Sequence, residues 1–275
     1  MGTLYVIATP IGNLEDITLR GIRLLKEVDL IAAEDTRKAR ILLKKYDISN
    51  RLTSYHEQNK VNKLPHMIRF LKEKGNIGLI SEAGTPGIND PGYELINAAI
   101  LEEIPIVPVP GPSAPITALS VSGLPTDQFI YIGYLPRRTN ERRKLLQSFC
   151  SEHRTIVCLE TPHRLHAALA DIAATLGNRK TAVHRELTKL HEEIFRGTVQ
   201  QSLEHFTQPK GEFTIVLEGS TGSDTVEDTL RAEELLKKMR SRGYSAKDAV
   251  TKVSEATGLS RKELYGMWLR QLKTK

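Results

Sequence analysis

The chain has 275 residues, 40% of them hydrophobic and 26% charged, with a formal net charge of +6 and an isoelectric point near 9.2. This balance suits a globular chain of two compact domains rather than one small core, while two cysteines supply neither a disulfide framework nor a cysteine metal site. The opening residues read as a strand entering a turn rather than a secretion leader, and no apolar stretch is long enough to span a bilayer, so a cytoplasmic protein without membrane attachment is expected.

Short runs rich in Ile and Val at residues 3–8, 28–33, 77–80 and 104–109 predict strands, and the stretches 18–26, 36–45, 61–74 and 93–102 predict helices between them. Strands alternating with helices pair in parallel, because each connection must cross over the sheet. Gly123, Pro125 and Asp127 break this pattern and bound a first α/β domain at residues 1–122. New strands at 129–134, 155–160, 180–185 and 212–218, with helices at 141–149, 164–176 and 199–206, make residues 123–222 a second α/β domain. Residues 223–275 then predict three helices at 227–242, 245–256 and 260–272, with Ser245 and Ser260 as N-caps and Gly243 and Gly258 as stops. Residues 228–275 hold 12 Lys or Arg against 6 Asp or Glu, which concentrates the excess charge there. The tail reads as helix-turn-helix-like, with Tyr265 and Trp268 in its core and Lys247, Lys252, Arg261, Lys262 and Arg270 facing outward toward nucleic acid.

In an open parallel sheet ligands gather where strands end, so four segments that follow predicted strands carry the functional reading. Thr9-Pro10-Ile11-Gly12-Asn13 is equally a plain strand-ending turn and a ligand contact. In Glu34-Asp35-Thr36-Arg37, Asp35 is read as an N-cap, whereas Glu34 directly follows an apolar strand and needs solvent or a polar partner. Ser81-Glu82-Ala83-Gly84-Thr85-Pro86-Gly87-Ile88-Asn89-Asp90-Pro91-Gly92 is stiff yet sterically open, as a binding loop is. It matches neither the dinucleotide spacing G-x-G-x-x-G nor the triphosphate pattern ending in G-K-[ST]. In Pro110-Gly111-Pro112-Ser113-Ala114, Ser113 is an N-cap or a ligand contact.

Taken together, residues 9–13, 33–37, 81–92, 110–114, 123–136, 160–164 and 185–193 resemble the tetrapyrrole methylase superfamily, and within it the ribosomal-RNA branch. The resemblance spans roughly residues 3–218 and departs at Glu82, where relatives carry Asp, and at Gly87, where a larger apolar residue is common. It implies two α/β domains of the tetrapyrrole methylase type, S-adenosylmethionine in the cleft between them, a small helical extension and a homodimer. Carried onto this sequence, Pro10, Ala83, Gly84, Thr85, Pro86, Gly87, Ile88, Ser113 and Ala114 contact the cofactor from the first domain, and Glu160, Thr161, His163, Leu187 and Thr188 from the second. The implied reaction is 2′-O-methylation of a cytidine ribose in 16S ribosomal RNA, within a small ribosomal subunit.

A ribose hydroxyl is a poor nucleophile, so a base is expected among Glu34, Asp35, Glu82, Asp90, His163, Glu186, Glu192 and Glu193, with Glu34 and Glu186 placed first. His163 reads as a local hydrogen-bonding residue at a helix start. Arg137, Arg138, Arg142, Arg143, Arg185 and Arg196 are candidate phosphate contacts, against the plainer reading of solvated helix faces. The histidines are scattered over different elements, and no metal site is expected. Two alternatives stay open: a small tetrapyrrole-like acceptor on the same fold, and a non-catalytic nucleic-acid-binding protein.

Overall fold

A computed structural model describes residues 1–220, 223–257, 259 and 261–273, with 223–229, 255, 262, 263 and 271–273 described in backbone only. The chain divides into two compact units, Met1–Val121 with His184–Glu193, and Ser122–Val183 with Ile194–Lys275. No described helix is long and apolar enough to cross a membrane.

The first unit runs β1 (Leu4–Ile7), α1 (Leu19–Glu27), β2 (Leu30–Ala33), α2 (Thr36–Lys45), β3 (Leu52–Ser54), α3 (Lys60–Lys72), β4 (Ile77–Ile80), α4 (Tyr93–Leu101), β5 (Ile106–Val109) and α5 (Ala114–Val121). Its sheet has the order β3-β2-β4-β1-β5 with every pair parallel, as the alternation of elements requires. Side chains alternate across the pleat, so Ile31 and Ala33 of β2 join Leu24, Leu25, Leu42 and Leu43 from α1 and α2. Ala32 between them joins Met67, Leu71, Leu95 and Ala99 from α3 and α4 on the opposite face. Both faces are therefore covered, and ligand access is left to the strand ends.

The second unit runs β6 (Phe129–Tyr134), α6 (Thr139–Gln147), β7 (Thr155–Glu160), α7 (Pro162–Leu176), β8 (Lys180–Arg185), β9 (Glu193–Thr198), α8 (Val199–His205) and β10 (Phe213–Leu217). Its sheet has the order β6-β7-β10-β8-β9, with β6 parallel and β10 antiparallel to β7. Leu146 of α6, Leu165, Leu169 and Ile172 of α7, and Ile156, Cys158, Val183 and Ile215 from the strands share one core.

The tail consists of α9 (Ser223–Ser241), α10 (Ala246–Thr257) and α11 (Arg261–Lys273), packed through Ala232, Leu236, Ala249, Val250, Val253, Leu264, Met267 and Trp268. Ser245 caps α10 by accepting from the Asp248 N–H at 3.2 Å, as read from sequence. The expected stop at Gly258, the cap at Ser260 and the side chain of Lys262 lie outside the described residues. Tyr265 corrects a reading: it is 40% exposed rather than core. The inward stripe of α11 is Leu264, Met267 and Trp268, spaced i, i+3, i+4, and residue 265 falls off that face.

A candidate ligand site at the strand ends of the first unit

The turn after β1 and the loop after β4 are joined by backbone pairing. The Thr9 N–H donates to Gly84 O at 2.8 Å and the Gly84 N–H donates to Thr9 O at 3.0 Å. The Thr9 hydroxyl, buried, also donates to Ser81 O at 3.3 Å, and the Thr85 hydroxyl donates to Pro112 O at 3.4 Å. Gly84 and Gly87 both have φ of +83°, a region L side chains rarely enter and glycine adopts without strain. Around Gly84 there is space: a Cβ would meet nothing closer than Ile11 Cγ2 at 3.6 Å. Among the described residues the N–H groups of Ala83 and Thr85 donate no intramolecular hydrogen bond.

Residues 184–193, from the end of β8 to the first residue of β9, group with the first unit, whereas the sequence reading places them in a second domain. The cause is local. The Asn13 N–H donates to Thr188 Oγ1 at 3.0 Å, and a Cβ on Gly12 would stand 2.5 Å from Lys189 Cγ and 2.8 Å from Leu187 O. Thr188 reaches this position with φ of +65°, a strained conformation for a β-branched residue. The structure thus brings the turn that holds Pro10 to Gly84, the loop at Gly84 and Thr85 to Pro112 just before Ser113 and Ala114 at the start of α5, and the same turn at Gly12 and Asn13 to Leu187 and Thr188; Ala83, Pro86, Gly87 and Ile88 flank Gly84 and Thr85 in that loop.

Beside these loops lies an acidic side. Glu34, at the end of β2, accepts from the Glu82 N–H at 3.1 Å, which supplies the polar partner its position demanded. Glu82 in turn pairs with Lys38. Asp90 is half-buried; burial pushes its carboxyl up to about 7, and the charges of Glu34 and Glu82 push the same way against a hydrogen bond from Ser81. Sequence reasoning weighed Asp90 without placing it first, since nothing adjacent to it signals the distant Glu34. Asp35 is the N-cap of α2, accepting from Arg37 N–H at 2.7 Å, and the Arg37 side chain holds its carboxyl down at about 2.

Other candidates are occupied locally. Glu186 accepts from Lys189 Nζ at 2.9 Å, Glu192 accepts from the Thr188 N–H, and Glu193 pairs with Arg185 at 3.1 Å. In the second unit the Glu160 carboxylate is buried, accepts from the Thr161 N–H at 2.8 Å and forms an ion pair with Arg164 at 3.2 Å; burial raises its proton affinity. Thr161 precedes α7 and His163 is exposed in its first turn. Arg142, a candidate phosphate contact or solvated helix-face residue from sequence, is neither: it is buried, its Nε donating to Asp171 Oδ2 at 2.7 Å, so it cannot touch a ligand at the surface.

Residues 3–202 match the sequence profile of the family described as Tetrapyrrole (Corrin/Porphyrin) Methylases. The chain is similar to proteins named ribosomal RNA small subunit methyltransferase I. With that of Halalkalibacterium halodurans it is 43% identical over 97% of this chain and 94% of the relative. With that of Thermotoga maritima it is 48% identical over 80% and 99%, respectively. The fold is similar to that of uroporphyrin-III C-methyltransferase from Thermus thermophilus solved with S-adenosylhomocysteine, at 18% identity and a TM-score of 0.56 over 79% of this chain and 97% of that one. It is also similar to diphthine synthase, at 12% identity and a TM-score of 0.63 over 80% and 91%.

Proposed function

The chain belongs to the tetrapyrrole methylase family, and from that premise we propose that it methylates the 2′-hydroxyl of a cytidine ribose in 16S ribosomal RNA, using S-adenosylmethionine. The coarser activity, S-adenosylmethionine-dependent methylation of small-subunit ribosomal RNA, follows from relatives above 40% identity that bear that name. The choice of cytidine, of the 2′-oxygen and of 16S RNA is supported by the sequence resemblance, as are a homodimer, a ribosomal subunit as substrate and a cytoplasmic setting.

The observation that carries the reading is the loop of residues 81–92, tied to Thr9 and open at Gly84, with unclaimed N–H groups at Ala83 and Thr85 and three carboxylates beside it. This donor set fits S-adenosylmethionine, whose carboxylate suits free backbone donors and whose positive sulfur suits Glu34, Glu82 and Asp90. When bound, the cofactor supplies an electrophilic methyl group. Pro10, residues 83–88, Ser113, Ala114, Leu187 and Thr188 are proposed to hold it; Thr161 and His163 belong to the set on the resemblance alone. Glu160 contributes only through its backbone, because its carboxylate is committed to Thr161 and Arg164. Of the carboxylates, Asp90 is the proposed proton acceptor ahead of Glu34 and Glu186, since its affinity for a proton lies near neutrality and Glu186 is paired with Lys189.

Transfer of a labelled methyl group from S-adenosylmethionine to unmodified small ribosomal subunits, followed by nucleoside analysis, tests the proposal. Label on a cytidine ribose is expected. Cofactor binding with no label in RNA points to a small acceptor, and no cofactor binding removes the methyltransferase reading.

A further inference from the structure

The four residues 135–138 join β6 to α6 in the second unit, and two guanidiniums hold three successive carbonyls there. Arg164 Nη2 donates to Leu135 O, and Arg142 Nη1 donates to both Pro136 O and Arg137 O at 3.2 Å. Each guanidinium is anchored in turn by a buried carboxylate. Arg164 pairs with Glu160, whose side chain is fully buried, and Arg142 with Asp171, the two side chains being 4% and 5% exposed. Asp171 also accepts from Arg143 Nε at 2.6 Å, so one buried carboxylate orients two arginines.

Desolvating ion pairs to fix a short connection is costly, and apolar packing of equal volume would stabilise the unit as well. What the arrangement gains is a rigid backbone beneath exposed cations. Arg137 and Arg138 project from the clamped segment, with Arg138 84% exposed and paired with Glu141 at 3.2 Å, and Arg143 stays 54% exposed above Asp171. Arg138 also occupies the N-cap position of α6 with no side-chain cap, where the helix dipole disfavours a cation. Helix stability therefore does not explain an arginine at that position. An anion drawn to the patch would relieve the repulsion and meet uncapped N–H groups as well.

We infer that residues 135–143 form a preorganised contact surface for the phosphate backbone of RNA, with Arg137, Arg138 and Arg143 as the contacts and Arg142 and Arg164 as positioning residues. The inference rests on the RNA reading above and deepens it. Arginine suits the task because its planar fork meets two phosphate oxygens at once, and a fixed backbone reduces the entropy lost on each contact.

The test uses the full chain and unmodified small ribosomal subunits, with affinity measured from about 50 to about 200 mM salt. The double variant R137A/R138A should lower the slope of log affinity against log salt by about 1.4–1.8, the value for two lost phosphate contacts. R142K keeps every charge but cannot span both carbonyls and Asp171; it should also reduce the slope and raise KM for the subunit. S-adenosylhomocysteine binding, read by calorimetry, should stay at the wild-type value in both variants. An unchanged slope in R137A/R138A overturns the inference even if R142K fails to fold. If the wild-type chain neither binds nor methylates subunits, the RNA reading itself fails and the inference falls with it. Equal loss of S-adenosylhomocysteine binding in R137A/R138A overturns it in favour of a cofactor contact.

Discussion

Asp90→Asn should stabilise the protein above neutral pH while abolishing most of its activity. In the folded protein this carboxyl holds its proton up to about 7, against 3.8 ordinarily, chiefly because it is buried and secondarily because Glu34 is near. Between those values the folded state keeps a proton that the unfolded state has released. Stability therefore falls as pH rises from about 4 to about 7 and stays reduced above that. The gap corresponds to at most ~4 kcal/mol, and water at a half-buried position screens it to ~2 kcal/mol. Asparagine fills the same space without a charge, so the variant escapes that cost. Thermal unfolding followed by fluorescence should show near-equal midpoints at pH 4 and a variant midpoint about 4–8 °C higher at pH 8. Methyl transfer by the wild type should lose about tenfold per pH unit below 7 as Asp90 protonates, and the variant should be about 10²–10⁴ times slower at pH 8 with no such limb. A midpoint difference that is the same at both pH values, or a wild-type rate that is flat from pH 6 to 8, would refute the reasoning.

Gly84→Ala places a Cβ in open space but at φ of +83°, so it should cost ~1 kcal/mol through the backbone alone; weaker S-adenosylhomocysteine binding by calorimetry is the check. Thr188→Val removes the acceptor of the Asn13 N–H and keeps the strain, whereas Thr188→Gly also removes the acceptor but relieves φ of +65°. The valine variant should therefore exchange the residue 13 amide faster and melt below the glycine variant. Trp268→Ala empties the centre of the three-helix tail and should cost ~3–5 kcal/mol there, seen as accelerated hydrogen exchange in α9–α11 with β1–β5 unchanged.

Strands were legible where the sequence carries an apolar run, whether the strand sits inside its sheet, as β4, β7 and β8 do, or at its edge, as β6 does with Phe-Ile-Tyr-Ile. The readings at 77–80, 129–134, 155–160 and 180–185 coincide with β4, β6, β7 and β8. The two strands without a reading, β3 and β9, both lie at sheet edges. β3 is three half-buried residues, and β9 reads Glu-Ile-Phe-Arg-Gly-Thr with every position half-buried or exposed, so neither shows an apolar run. The grouping of residues 184–193 with the first unit had no local signal either, since it depends on the missing side chain of Gly12, far away in sequence. The raised proton affinity of Asp90 is likewise a property of a meeting between loops rather than of its own neighbours.

Arg142 is different, because its burial was written in the pattern. It lies four residues before Leu146, which puts it on the inward stripe of α6, and Asp171 lies on the inward stripe of α7 beside Ala168 and Ile172. A single charge on an apolar stripe reads as an error or a solvated kink, but an isolated buried charge is prohibitively unfavourable. Two helices of one unit that each carry one such charge, of opposite sign, must bring them together. The pairing of α6 with α7 and the removal of Arg142 from any surface both follow from that rule. So does the consequence that Asp171→Asn should be more damaging than removing both members of the pair: it strands two guanidiniums over one neutral group, whereas R142M/D171L leaves an apolar contact in place of the ion pair and strands only Arg143, which is exposed. Truncating the partner alone should cost ~3–5 kcal/mol and the double replacement less. Unfolding midpoints of the two variants decide it, and a double variant less stable than Asp171→Asn would show that the pair stabilises the unit rather than positioning residues 135–138.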